Sequence, residues 1–140
     1  MILPQYVVTD PVVLTQAILV HVPGKELRAA ELSVAACEAG KINDIDPAWL
    51  AAVALGETPS LKPTVPGGVC TVVGSGARTI TDSVHAAGKI YKIIVKKHGR
   101  RNAHLYYGCG NSRCGGRWTP QAKYKIWVYK KLKRHLINEV

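Results

Sequence analysis

Acidic side chains are scarce in this sequence, and its last third has almost none. Nine Asp and Glu stand against nineteen Lys and Arg, for a formal charge of +10, and residues 89–135 contain no acid at all. That imbalance argues against a basic partner and for a polyanionic one: nucleic acid, an anionic membrane face or the anionic bacterial wall. Long hydrophobic runs are also lacking. The most apolar stretch, 12–22, is too short to span a bilayer, and no positively charged segment precedes it, so neither a transmembrane helix nor a standard signal peptide is expected. There is no internal repeat and no low-complexity tract. Cysteines number four (Cys37, Cys70, Cys109, Cys114), enough for two disulfides, for free thiols or for part of a metal site.

What is present is the composition of a folded domain. Hydrophobic residues make up 47% of 140 residues and charged residues 20%, which is ordinary for a globular chain with one core. Helix signals follow one another along the sequence. Asp10-Pro11 reads as a cap followed by proline in the first turn, opening a short apolar helix with Val12, Val13, Leu14, Ala17, Ile18 and Leu19 that Pro23-Gly24 ends. Leu27, Ala30, Leu32, Val34, Ala35 and Cys37 fit a second, mostly buried helix over 26–39, with Gly40 as its stop. Asp46-Pro47 repeats the opening signature, and a third helix is expected from Pro47 to Glu57.

Residues 58–78 hold three Pro and four Gly, so they are expected to form an ordered loop, with room for a short strand at 69–73. Thr79 or Thr81 then caps a fourth helix whose apolar stripe is Ile80, Val84, Ala87, Tyr91, Ile94 and Val95, stopping at Gly99. A turn-rich stretch over 106–118 leads through Thr119-Pro120 into a basic helix reaching about Ile137, with Tyr124, Trp127, Val128 and Leu132 as its core stripe.

The segment from Asp44 to Thr58, Asp-Ile-Asp-Pro-Ala-Trp-Leu-Ala-Ala-Val-Ala-Leu-Gly-Glu-Thr, resembles the catalytic helix of lytic transglycosylases and goose-type lysozymes, which ends in a catalytic Glu followed by Ser. Thr79-Ile-Thr-Asp-Ser-Val-His-Ala-Ala-Gly is similar to the helix after that family's variable loop. Leu105-Tyr106-Tyr107-Gly108-Cys109-Gly110-Asn111 is similar to its Ala-Tyr-Asn-Ala-Gly turn, and Trp118, Pro120, Ala122, Tyr124 and Val128 to its closing helix. The likeness covers roughly 30–135. Three features depart from the pattern: 67–76 contains no Gln where the family has a Gly-Leu-Met-Gln stretch, Thr58 replaces the Ser after the Glu while keeping the hydroxyl, and the Asn of the turn falls on Gly108. The resemblance implies a mainly α, lysozyme-like single domain over 1–140, with an ordered loop or short β segment after the catalytic helix. It also implies cleavage of the β-1,4 MurNAc-GlcNAc bond of peptidoglycan, with Glu57 as catalytic acid and Thr58, Tyr106, Tyr107, Gly110 and Trp118 against the sugar. No cofactor is implied.

Such cleavage needs a protonated carboxyl beside the leaving oxygen, and apolar surroundings favour the neutral acid. Glu57 follows Val53, Ala54 and Leu55 and precedes Pro59, so apolar neighbours and few local charge partners are expected. The only acid between Glu57 and Glu139 is Asp82, at a helix start where a capping or dipole role suffices. With one carboxylate, the family's 1,6-anhydro outcome is expected over hydrolysis. Of the two tyrosines, Tyr107 is expected at the site and Tyr106 in the core. Compact wall-cleaving domains of this kind are often phage products, so the expected setting is an endolysin, cytoplasmic until holin release, or a virion component, acting in the periplasm or wall and monomeric unless built into a virion.

The rival reading is a basic nucleic-acid-binding or virion structural protein, with a zinc site drawn from His98, His104, Cys109 and Cys114. Their spacing matches no standard finger. Nucleic acid is set aside as the partner because Tyr124 and Trp127 are taken as core, leaving no aromatic face among the cations.

Overall fold

A computed structural model describes residues 1–62, 67–72, 74–107 and 120–138. The described residues are mainly helical, with five α-helices: α1 Pro11–His21, α2 Glu26–Asn43, α3 Pro47–Glu57, α4 Ile80–His98 and α5 Pro120–Asn138. A 3-10 turn, Ala103–Leu105, follows α4. No helix among the described residues is long and apolar enough to cross a membrane.

The centre is α3. Every residue from Pro47 to Leu55 is buried, because α2 and α5 pack along it and α4 touches it, while α1 covers α2 and part of α5. Both Asp-Pro signatures act as read. Asp10 Oδ1 accepts from the Val12 amide at 2.8 Å, and Asp46 Oδ1 accepts from the Ala48 amide at 3.0 Å. Asp46 is itself buried, and its other oxygen accepts from the Tyr129 hydroxyl at 2.8 Å and pairs with Lys133 Nζ at 3.0 Å. The cap of α3 is thereby held by α5.

Three expectations need correction. Helix α2 does not stop at Gly40; it runs to Asn43 and turns at Asp44, whose φ is 55°. Gly40 is required by close approach instead, since a Cβ there would stand 2.5 Å from the Ile45 carbonyl oxygen and 3.2 Å from Pro47 Cγ. The buried face of α2 is also rotated from the one expected. Leu32 and Ala35 are buried as expected, but they are joined by Ala29, Ser33, Ala36 and Ala39, whereas Leu27 and Val34 are 89% and 49% exposed. Finally, the described part of 69–73 is a turn and not a strand: the Thr71 and Val72 amides donate back to Gly68 and Gly67 at 3.0 and 3.3 Å.

In α4, Thr79 is the cap, accepting from the Asp82 amide at 3.0 Å. Thr81 is committed elsewhere, since its amide donates to Glu31 of α2 at 3.0 Å. Residues 1–4 form a strap that no helix signal announced. The Leu3 amide donates to Arg100 O at 2.9 Å, Asn102 N to Met1 O at 3.0 Å and Asp46 N to Pro4 O at 3.0 Å. Arg100 completes the junction with hydrogen bonds to Leu3 O and Asp44 Oδ2, each 3.1 Å.

Just beyond this junction His104 is buried, edge-on to Trp49 with ring centres 6.2 Å apart. Burial pushes its pKa down to about 4. The unfolded chain takes up the proton near the ordinary 6.5, so the contribution is whole above that value and is lost as pH falls from about 6.5 to about 4. Urea unfolding at steps between pH 7 and pH 4 is expected to show a decline of up to about 3 kcal/mol from this residue. A His104→Gln variant with an equally steep decline would assign the pH dependence to other groups.

Candidate active site

Helix α3 delivers Glu57 from the core to the surface, and the chain around its last turn is tied down from three directions. The Thr58 amide closes the helix on Ala54 O at 2.8 Å, and the Thr58 hydroxyl donates to Val69 O at 2.8 Å. Ser83 of α4 donates to Gly67 O at 2.6 Å and accepts from the Cys70 amide at 2.9 Å. Gly68 packs directly on Ser83; a Cβ at Gly68 would stand 2.6 Å from Ser83 Cβ, and its φ of 73° also suits glycine. The Tyr107 hydroxyl donates to Cys70 O at 2.6 Å. The turn at 67–72 thus hangs from α3, from α4 and from the segment after the 3-10 turn.

Opposite this turn stands α5. Lys125 Nζ meets Glu57 Oε1 at 2.5 Å, with the lysine side chain 5% exposed and the glutamate 18%. A buried Lys needs such a partner, and a Glu at a helix C-terminus, facing the negative end of the dipole, gains from a cation there. The ammonium also lies 4.7 Å from the centre of the Tyr107 ring. Tyr107 stacks on Tyr91 at 4.7 Å and 7° between planes, and Tyr91 meets Trp49 edge-on at 6.3 Å. A column of carboxylate, ammonium and three aromatic rings therefore runs from the surface to the core. Burial pushes the Cys70 thiol up to about 12 and raises the Tyr91 and Tyr107 phenols well above their ordinary range. None of the three supplies an anionic nucleophile near neutral pH, which leaves the Glu57–Lys125 pair as the charged groups of the column.

Several expected site residues fall differently. Glu57 is where the sequence puts it, at a helix end among apolar residues, but it has a full charge partner. Thr58 is buried, and its hydroxyl is spent on Val69 O. Tyr107 lies under the Lys125 ammonium but is buried, and Tyr106, expected in the core, is half-buried and stacks on His98 at 4.0 Å. Gly110 and Trp118 lie outside the described residues, as do Cys109 and Cys114. Cys70 is a free thiol, which removes it as a disulfide partner for either. Among the described residues no group of three His, Cys, Asp or Glu could hold a metal ion. A separate cleft of about 520 Å³, lined by Ser75, Asp82, His85 and Lys89 among others, does not include Glu57.

Lys125 is the residue that the sequence reading missed, although a signal was available. It stands three, four and seven residues before Val128, Tyr129 and Leu132, on the inward stripe of α5, where a lysine demands an anion. Gly56 is the second signal, because a Cβ there would stand 2.6 Å from Lys125 Cγ. Comparison with known proteins adds nothing to this geometry: no protein-family model, no curated protein and no solved structure matches the chain.

Removing one partner of a shielded pair strands the other charge, whereas removing both does not. Lys125→Met is expected to lower stability by roughly 1–3 kcal/mol, less than a fully buried pair would lose because Glu57 is partly wet. The double variant with Glu57→Gln is expected to recover much of that loss. Urea unfolding of the four proteins measures the coupling, and additivity within about 0.5 kcal/mol would mean that the pair contributes nothing specific.

Proposed function

We propose that this protein cleaves the glycan strands of peptidoglycan as a lytic transglycosylase, with Glu57 as its acid and base. The observation that carries the reading is a single, mostly shielded carboxylate at the end of a buried helix, fixed by Lys125 beside an anchored turn. The sequence likeness described above supplies the reaction class. The wall polymer is anionic and the protein strongly basic, which favours encounter at low salt.

Glu57 pairs with Lys125 through the Nζ to Oε1 contact. A sugar ring laid over the pair expels water from it, and the step requires the Lys125 ammonium to hand a proton to the Glu57 carboxylate, leaving a neutral amine and a carboxylic acid. The carboxylic acid then protonates the glycosidic oxygen as the bond to C1 breaks. As carboxylate it takes the proton from the muramyl 6-hydroxyl while that oxygen closes on C1, and the acid is restored. Lys125 is a positioning residue here: it fixes the carboxyl's direction and takes the proton back when product leaves. By analogy with compact wall-cleaving domains, a phage endolysin or virion component is the setting that fits.

Glu57→Gln keeps shape and hydrogen bonding but cannot donate the proton. It is expected to fold, with a stability loss of the size given for Lys125→Met because the shielded Lys125 loses its anion, and to lose about 10²–10⁴-fold of lytic activity on purified cell wall, while Asp82→Asn keeps most of it. Mass spectrometry of the digest is expected to show anhydro-muropeptides, about one water lighter than hydrolytic products. Hydrated reducing ends would make the reaction a hydrolysis. Release of no muropeptide from walls of several chemotypes would overturn the enzymatic reading.

A further inference from the structure

Helix α5 has a second charged face, turned away from Glu57. Lys125 and Lys133 are committed inward, to Glu57 and Asp46. Lys123, Trp127, Lys130 and Arg134 instead follow one another at intervals of four, three and four along the outer side, and all four are exposed. One helical turn advances about 5.4 Å, so the cations recur every one to two turns. Among the described residues no hydrogen bond or ion pair engages Lys123, Lys130 or Arg134, and the chain has no acid between residues 89 and 135 to quench them.

Aromatic rings are interleaved with these cations. Tyr124 is 38% exposed and Trp127 48%, contrary to the expectation that both belong to the core stripe, of which only Val128 and Leu132 are fully buried. The two rings stack on each other at 5.7 Å. Lys131 Nζ lies 4.3 Å from the centre of the Trp127 ring, and His21 of α1 meets the same ring edge-on at 6.0 Å. The platform is therefore braced by two helices and one cation.

We infer that the outer face of α5, with Tyr124 and Trp127 at its centre, binds single-stranded nucleic acid. Lys123, Lys130 and Arg134 meet the backbone phosphates, and unstacked bases add to the tyrosine and tryptophan pair, displacing Lys131 from the ring to a phosphate. A strand in which the bases are free to splay fits better than a duplex, whose bases are occupied in their own stack. An anionic lipid surface would call for apolar side chains along the face, and here charged residues alternate with the rings. A neutral glycan would use the rings and leave the cations without a purpose, and an anionic wall polymer without rings of its own would use the cations and leave the stacked pair without one. The face is independent of the Glu57 site, so Glu57→Gln is expected to leave nucleic-acid binding unchanged, and the two proposals stand or fall apart.

The test uses the intact protein and a fluorescein-labelled oligothymidylate of about 15 nucleotides, a length within the range of single-strand sites. Anisotropy is expected to show binding that weakens steeply with salt, with quenching of tryptophan fluorescence. Replacing both Tyr124 and Trp127 by Ala is expected to weaken binding about tenfold or more at fixed salt without changing the salt slope. Replacing Lys123, Lys130 and Arg134 by Gln is expected to reduce that slope by about two, near 0.7 for each lost phosphate contact. Circular dichroism melting checks that both variants remain folded. Inorganic polyphosphate serves as an anion without bases, and its binding is expected to ignore the aromatic substitutions. Absence of oligothymidylate binding at low salt would overturn the proposal. So would equal affinity of the aromatic variant, which would reduce the face to charge alone, or dependence on Tyr124 and Trp127 for purified glycan or anionic vesicles but not for the oligonucleotide.

Discussion

A helix buried along its whole length reaches water only at its ends, and in this protein both ends of α3 are acidic. Asp46 begins it and Glu57 finishes it, and α5 answers each with a lysine: Lys133 at the first and Lys125 at the second. The order of those pairs makes α5 antiparallel to α3 and sets how far one helix can slide along the other. The two anions differ in their need. Asp46 stands at the positive end of the helix dipole and satisfies an amide as well, so its lysine is an addition. Glu57 stands at the negative end, so its lysine offsets an unfavourable position. A group placed where the backbone opposes it and held there by a neighbour's charge is the kind of local cost that functional sites carry.

The turn at 67–72 and Tyr107 depend on that arrangement in the next layer. Tyr107 offers one face to Tyr91, lies beneath the Lys125 ammonium, and gives its hydroxyl to the backbone of the turn. One side chain thus links the ion pair, the aromatic core and the loop. Its hydrogen-bonding capacity is used in holding Cys70 O, which is why a residue marked by the resemblance as a sugar contact belongs to the frame of the site.

Capping chemistry was the most legible part of the sequence. Asp-Pro twice marked a helix start correctly, and the limits of α3 and the stop of α4 at Gly99 were readable because each rests on a few adjacent residues. The failures share a different cause. Gly40 was read as a terminator, yet the need for glycine comes from the approach of Ile45 and Pro47 across the next corner. Leu27 and Val34 look apolar enough for a core, but α2 is rich in alanine, and the small residues bring it close to its neighbours on the other side. Tyr124 and Trp127 followed the period of α5 only loosely, and Lys125 took the inward place that an aromatic seemed to claim. In the candidate site, Glu57 was visible through its motif, whereas its partner is 68 residues away in sequence and only tertiary packing brings the two together.

The strap formed by residues 1–4 has a consequence for how the chain assembles. Its partners are Asp46 on one side and Arg100 and Asn102 on the other, so the contact with Asp46 can form once α3 begins, whereas the contacts with Arg100 and Asn102 wait for the end of α4. Helices α1 to α3 can form and meet early through nearby contacts, but the junction that ties α3's beginning to α4's end closes a loop of nearly the full span from strap to 3-10 turn, and such closures come late and slowly. Until α4 is complete the strap lacks its partners on the α4 side, and the exposed Val7 and Val8 lie just behind it.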